Sequence, residues 1–165
     1  SLRRRQRQMC IRDRYMMLAG RPVLFYALQA FAESAVTDIV VVVGAGEIDY
    51  CRKEIIEKYH IQKVCAVVEG GRERYHSVYE GLKAADGSDY VLIHDGARPL
   101  VTTDIISRSI ACVREGDSCV VGMPVKDTIK VVGADGFAKE TPKRSSLWQI
   151  PVSYTHLTLP TTERV

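Results

Sequence analysis

DIVVVVG, residues 38–44, is an unbroken run of β-branched residues that ends at a glycine. Runs without polar alternation indicate a strand that is buried on both faces, and parallel sheets contain such strands. The glycine permits a tight turn after the strand. We therefore expect a parallel sheet around this run.

The segments on either side repeat the pattern. Leu24, Leu28 and Phe31 share one face of a predicted helix that follows Pro22. Beyond the run, the spacing predicts an alternation of helices over 47–59, 72–85 and 102–113 with strands over 64–68, 90–93 and 119–121. This alternation predicts an α/β fold, in which a mostly parallel Rossmann-like sheet carries helices on both faces.

Residues 126–146 depart from the alternation. Ile129 and Val131 alternate with Lys130, and GADG at residues 133–136 is typical of a hairpin turn. We expect two strands to form an arm that projects from the α/β body, and a partner subunit to cover it, because an isolated ribbon is marginal in water. The basic residues of the arm suit an anionic substrate. The commoner explanation is that lysines on a solvated edge strand prevent aggregation through that edge.

Composition and charge limit the function classes. Apolar residues make up 46% of the 165 residues, but no run is as long as a membrane helix needs and no signal peptide is recognisable. We therefore expect a cytoplasmic protein with no membrane partner. Six arginines lie within residues 1–14, whereas residues 15–150 are slightly acidic and continue no basic stripe, so we expect no nucleic-acid binding. The five cysteines lack metal-ligand spacing, and because four of them have apolar neighbours we interpret them as buried thiols rather than as ligands or redox groups.

The two ends continue no pattern. Residues 1–14 show no periodicity, and residues 151–165 are Thr-rich and polar. We expect both to be segments that are foreign to the domain or disordered, and we assign residues 15–150 to the domain itself. Under this expectation the natural domain starts earlier and ends later.

Three loops at predicted strand ends are candidate ligand sites, because ligands bind at the carboxyl ends of strands in such sheets. The first, GAGEID, ends with Asp49 where a dinucleotide fingerprint needs its third glycine, so an ordinary turn is favoured. The second combines Gly70 and Gly71 with a helix N-terminus that carries Arg74 and Ser77. It can hold a base or a phosphate, and a plain glycine turn with solvated charges is the alternative.

The third loop, HDGARP at residues 94–99, is the most specific. Asp95 follows a predicted strand directly and suits Mg²⁺ or another divalent cation, because Mg²⁺ takes one or two carboxylates while substrate phosphates supply other ligands. Arg98 can fork onto phosphate oxygens. The alternatives are that Asp95 pairs with Arg98 or caps the turn. We interpret His94 as a packing or hydrogen-bonding residue.

In their order and spacing, these motifs resemble the 2-C-methyl-D-erythritol 4-phosphate cytidylyltransferase family. The resemblance covers about residues 15–150. Ribitol-5-phosphate cytidylyltransferases share much of the pattern and are the nearest alternative. The matching stretches are LAGRPVL at 18–24, GGRERYHSV at 70–78, HDGARP at 94–99, PVKDTIK at 124–130 and RSSLW at 144–148.

The resemblance implies a nucleotidyltransferase-type fold and a reaction of non-mevalonate isoprenoid biosynthesis. In that reaction CMP is transferred from CTP to 2-C-methyl-D-erythritol 4-phosphate, and pyrophosphate is released. The resemblance implies that Asp95 binds the metal, and that the arm joins a homodimer in which Thr128 and Arg144 hold the acceptor phosphate. Arg144, as a catalytic residue, would reach into the partner subunit. The implied CTP-binding residues are Gly71, Arg74, Ser77, Asp95 and Arg98.

One departure from the family bears on activity. The glycine-rich phosphate loop of the family, with its Arg and Lys, belongs just before Tyr15, but residues 1–14 contain no glycine. Loss of such a loop costs several kcal/mol of transition-state stabilisation, on the order of a thousandfold in rate. We therefore expect the chain as written to be inactive. A sugar-nucleotide transferase, or a non-catalytic nucleotide-binding or dimerising domain, remains an alternative.

Overall fold

The computed structural model describes residues 13–116 and 118–150, and the backbone of residues 155–158. Its helices are α1 (Val23–Glu33), α2 (Ile48–Cys51), α3 (Arg74–Ala84) and α4 (Thr103–Glu115). Its strands are β1 (Met17–Leu18), β2 (Arg21–Pro22), β3 (Ile39–Val43), β4 (Val64–Glu69), β5 (Tyr90–Ile93), β6 (Ser118–Val120), β7 (Met123–Pro124), β8 (Val131–Val132), β9 (Ala138–Glu140), β10 (Trp148–Gln149) and β11 (Thr155–Thr158).

The β-branched run forms β3, which pairs in parallel with β4. One face of β3 enters the main core, where Val41 and Val43 pack with Leu24 and Leu28 of α1. The opposite face meets α3, since a Cβ added to Gly81 would lie 3.0 Å from Val42. Helices therefore cover both faces of the parallel pair, and the predicted α/β class is confirmed.

The sheet around β5 contains backbone from the C-terminal segment that was expected to lie outside the domain. β11 lies between β5 and β6 and pairs antiparallel with both strands. The sequence predicted no strand within residues 151–165, whereas the backbone of residues 155–158 forms one. The physical reason is that Thr has high β-propensity, and a pair of strand edges offers this backbone its hydrogen bonds. The foreign origin of the segment stays a prediction.

The predicted hairpin is confirmed. β8 and β9 pair antiparallel around the turn, where the Gly133 N–H donates to the Phe137 carbonyl at 3.0 Å and Gly136 adopts a φ of 79°. That φ lies in the left-handed region, which glycine adopts without a steric penalty. Both strands are exposed along their length.

Two expectations differ from the structure. The helix predicted over 47–59 is α-helical only in α2 and continues as a π-helical segment over Arg52–Glu57. Of the cysteines, Cys51 is buried, whereas Cys65 and Cys112 are exposed and Cys119 is half-buried; Cys10 lies outside the described residues. The buried-thiol prediction is wrong for Cys65 and Cys112, because apolar neighbours along the chain do not determine which other elements cover a side chain. In the described part of the chain, no helix has the length and apolarity needed to cross a bilayer.

Candidate nucleotide site

The glycine pair brings the end of β4 close to α3. The Gly70 N–H donates to the Val43 carbonyl at 2.8 Å, so the turn stays attached to β3. The Ser77 hydroxyl lies 3.4 Å from the Gly71 carbonyl and can donate to it. A Cβ added to Gly70 would lie 2.5 Å from Ser77 Oγ, and one added to Gly71 would collide with His76 Cβ. Both positions therefore need glycine because α3 approaches so closely.

The loop after β5 is held in shape by its own hydrogen bonds. Asp95 Oδ1 accepts from the Ala97 N–H at 3.1 Å, and the Asp95 carbonyl accepts from the Arg98 N–H at 2.9 Å. His94 Nε2 lies 3.0 Å from the Arg98 carbonyl, which fixes this nitrogen as a donor. The His94 ring packs against Phe31, with centroids 5.4 Å apart. Burial lowers the pKa of His94, and the interpretation of this residue as packing and hydrogen-bonding is confirmed.

Ion pairs join the two loops at Asp95. Its Oδ2 lies 3.9 Å from Arg74 Nη1 on α3 and 3.8 Å from Arg98 Nε in its own loop. The Asp95 side chain is 35% exposed, so water and ligands reach the carboxylate. The loops after β4 and β5 therefore come together around Asp95, and they carry the five predicted CTP-binding residues: Gly71, Arg74, Ser77, Asp95 and Arg98. Both structural alternatives are also present, since Asp95 pairs with Arg98 and caps its turn.

The predicted acceptor-binding residues meet on the arm. Arg144 Nη2 donates to Thr128 Oγ1 at 3.1 Å, across 16 positions of sequence. Arg144 lies in a 3₁₀ turn, Arg144–Ser146, directly before β10. The structure thus brings these two residues together, as a group on the arm that is distinct from the group around Asp95.

The first loop has its backbone amides occupied by carboxylates. The Gly44 N–H donates to Glu47 at 3.0 Å, and the Gly46 N–H donates to Glu69 at 3.3 Å. Glu47 also accepts from Arg14 at 2.9 Å and from the Tyr15 hydroxyl at 3.2 Å. A phosphate would compete with these carboxylates, so the prediction of an ordinary turn agrees with this geometry. The role of Glu47 was not predicted from the sequence, although an acidic residue three positions after the turn glycine was the signal for it.

The donor chemistry near Asp95 fits a cation that substrate phosphates help to hold. Among the described residues, no group of three His, Cys, Asp or Glu side chains could hold a metal ion without other ligands. A single partly exposed carboxylate at a strand end suits Mg²⁺, which is usually bound by one or two carboxylates, substrate phosphates and water. Asp95 is therefore the residue that would hold such an ion.

Comparisons with known proteins agree on one family. A family model described as IspD: 2-C-methyl-D-erythritol 4-phosphate cytidylyltransferase matches residues 4–158. The enzyme of that name from Lachnoclostridium phytofermentans is 50% identical over 140 residues, which cover 85% of this chain and 60% of the relative. The enzyme from Alkaliphilus oremlandii is 46% identical over 143 residues, which cover 86% of this chain and 61% of the relative. The chain thus spans about three fifths of the length of these curated relatives.

A solved structure shows the same fold. The crystal structure of 4-diphosphocytidyl-2C-methyl-D-erythritol synthase from Anaerococcus prevotii superposes with a TM-score of 0.80 at 29% identity, covering 90% of this chain and 64% of that one. The expected nucleotidyltransferase-type fold is therefore confirmed.

Proposed function

The chain belongs to the 2-C-methyl-D-erythritol 4-phosphate cytidylyltransferase family, and on that premise we propose that it binds CTP and transfers CMP to 2-C-methyl-D-erythritol 4-phosphate. The acceptor phosphate attacks the α-phosphorus of CTP, and pyrophosphate leaves. Positioning and charge neutralisation provide most of the catalysis in phosphoryl transfer. The supporting observation is the contact between Arg74 and Asp95, which brings the helix of Ser77 to the end of β5.

The glycine pair and Ser77 form the pocket for the base. Cytosine presents both hydrogen-bond donors and acceptors on its edge. The Gly71 carbonyl is an acceptor and the Ser77 hydroxyl is a donor, and the two oxygens lie 3.4 Å apart. Glycine at positions 70 and 71 lets α3 lie against the end of β4, which brings the Ser77 hydroxyl beside the Gly71 carbonyl.

The carboxylate and the two arginines form the phosphate end of the pocket. Asp95 would hold Mg²⁺ or another divalent cation, which neutralises phosphate charge when it is bound. Arg74 and Arg98 lie beside the same carboxylate. Their guanidinium groups can bind phosphate oxygens in a bidentate manner, which orients the triphosphate.

The arm binds the acceptor and a second copy of the chain. A guanidinium carries five N–H donors, and the bond from Arg144 to Thr128 uses one of them. The remaining donors suit the acceptor phosphate, as a catalytic contact made across a homodimer. Exposed apolar side chains on the arm supply the surface that a partner would cover: Ile129, Val131, Val132 and Phe137. Sedimentation analysis of the chain tests this part of the proposal.

Calorimetric titration of CTP with and without Mg²⁺ tests the site. We expect Asp95→Asn to weaken Mg²⁺-dependent CTP binding by about 1.5–3 kcal/mol, or roughly ten- to a hundredfold in Kd. Asp104→Asn is the matched control, because it removes one carboxylate from an exposed pair with Arg108 on α4. Equal losses in both variants would contradict the assigned role of Asp95. Absence of Mg²⁺-dependent CTP binding in the unmutated chain would contradict the enzymatic proposal.

Turnover is expected to be low in the chain as written. Residues 1–14 contain no glycine, so the glycine-rich phosphate loop of the family is not recognisable in their sequence. We expect pyrophosphate release to be on the order of a thousandfold slower than in a version with a glycine-rich phosphate loop in their place. Robust turnover of the unmodified chain would contradict this expectation. Failure of the restored version, or a preference for ribitol 5-phosphate, would contradict the proposed reaction.

A further inference from the structure

Two cysteines face each other across the contact between α4 and β6. Cys112 lies in the last turns of α4 and Cys119 lies at the centre of β6, and the two elements pack together. Cys119 Sγ lies 3.7 Å from the Ser109 carbonyl oxygen. Ser109 and Cys112 are three positions apart on the helix and therefore share a face. β6 thus places one thiol beside the helix surface that carries the other.

The surroundings of the two thiols differ. Both line an open cleft of about 400 Å³, whose far wall includes Trp148 and Ile150. Cys112 is exposed, whereas Cys119 is half-buried. Burial, followed by a side-chain hydrogen bond with Cys112, raises the pKa of Cys119 to about 11. Cys112 is therefore the accessible thiol, and Cys119 is held protonated beside it.

We propose that Cys112 and Cys119 form an oxidisable dithiol, which a peroxide converts to a disulfide between α4 and β6. In the first step, the Cys112 thiolate attacks one peroxide oxygen; Cys112 becomes a sulfenic acid and hydroxide leaves. In the second step, Cys119 sulfur attacks Cys112 sulfur, the S–O bond breaks and water leaves with the Cys119 proton. Two thiols lose two electrons in total, and one peroxide molecule becomes two water molecules. The site is independent of the nucleotide site.

The location of the pair makes the disulfide accessible and reversible. The cleft admits a small peroxide from solvent, and it equally admits a small reducing thiol. Cys65 provides an internal comparison, because it is an exposed thiol on β4 whose Sγ contacts the Ile39 carbonyl at 3.5 Å. An exposed thiol without a resolving partner stops at the sulfenic acid or is oxidised further.

Peptide mapping of the full chain after hydrogen peroxide treatment tests the proposal. Trypsin releases Cys112 in SIACVR, residues 109–114, and Cys119 in EGDSCVVGMPVK, residues 115–126. We expect these peptides to appear linked, with a mass about 2 Da below their sum, and to separate after reduction. Recovery of both as separate peptides after peroxide, with Cys112 carrying a stable sulfenic or sulfinic acid, would overturn the proposal.

A trapping experiment identifies the order of the steps. In Cys119→Ser, dimedone should trap the Cys112 sulfenic acid at least about fivefold more than in the unmutated chain, because the resolving thiol is gone. Cys65→Ser is the matched control and should leave the linked peptide unchanged. Equal trapping at Cys112 with and without Cys119 would overturn the resolving role. If a serine variant folds poorly, the presence or absence of the linked peptide in the unmutated chain still tests whether the disulfide forms.

Discussion

A methyl group added at Gly70 tests how closely α3 is held against the end of β4. The new Cβ would lie 2.5 Å from Ser77 Oγ, 3.0 Å from Ser77 Cβ and 3.1 Å from Val42 Cγ1. Rotation of the Ser77 hydroxyl relieves the first contact only. The other two remain, because Ser77 Cβ is fixed by the helix and Val42 by the centre of β3. We therefore expect Gly70→Ala to overpack the site.

The size of the effect follows from two opposing contributions. Overpacking a well-packed site costs about 1–3 kcal/mol. Replacement of glycine by alanine restricts the unfolded chain and returns about 0.4–1 kcal/mol. The midpoints of these two ranges leave a net loss of about 1.3 kcal/mol in the free energy of unfolding, which lowers Tm by roughly 3–5 °C in a chain of this size. Gly116→Ala is the matched control, since its nearest neighbour is the Cys112 carbonyl at 3.6 Å and its φ of −145° is accessible to alanine.

Urea unfolding of four chains measures the coupling: the unmutated chain, Gly70→Ala, Ser77→Ala and the double variant. Ser77→Ala removes the Oγ that lies closest to the new methyl group. We expect a coupling free energy of at least about 0.5 kcal/mol, with the double variant more stable than the sum of the single losses predicts. Equal midpoints for Gly70→Ala and Gly116→Ala would refute the overpacking. Strict additivity would refute the contribution of Ser77 to it.

Three further predictions concern other parts of the molecule. Thr102→Ala should destabilise the protein by about 0.5–2 kcal/mol in thermal unfolding, because the Thr102 hydroxyl accepts from the Ile105 N–H at 3.3 Å at the start of α4; Thr102→Ser should retain the cap. Glu47→Gln should cost about 1–3 kcal/mol in urea unfolding, because Glu47 accepts three hydrogen bonds, and equal stability would contradict this. Since the pKa of Cys119 is raised to about 11, its alkylation rate should rise about tenfold per pH unit between pH 7 and 10; a plateau within that range, in peptide maps, would contradict the shift.

Local sequence patterns predicted the elements of the body well, and the reason is physical. β3 is buried on one face and half-buried on the other, so its side chains are apolar without alternation. α4 begins with a capping threonine, and its start was predicted to within one residue. By contrast, nothing in the apolar spacing of residues 47–59 distinguishes α-helical from π-helical hydrogen bonding. The two differ in backbone geometry over the same side-chain types.

Long-range contacts were the part that the sequence could not specify. The placement of Thr155–Thr158 between β5 and β6 depends on which strand edges are available, and a polar Thr-rich segment carries no signal of that. The exposure of Cys65 likewise depends on what covers β4, since its neighbours along the chain are apolar. In the candidate site, the position of each loop was predicted correctly, because each loop directly follows a predicted strand. The pairing of Arg74 with Asp95 needed the structure, because 20 residues separate them.

The weakness of the ion pairs at Asp95 suits the role proposed for them. Distances of 3.8 and 3.9 Å are too long for charge-assisted hydrogen bonds, and the three side chains are 35–50% exposed. Such exposed pairs contribute about 0–1 kcal/mol each, so little stability is lost when a ligand separates them. A triphosphate can then draw Arg74 and Arg98 onto its oxygens, while the carboxylate that they leave becomes available to the divalent cation. Short, buried pairs would have opposed this exchange by several kcal/mol. Under the proposed function, the same loose geometry that gives the pairs little value for folding lets these residues exchange their partners for a nucleotide.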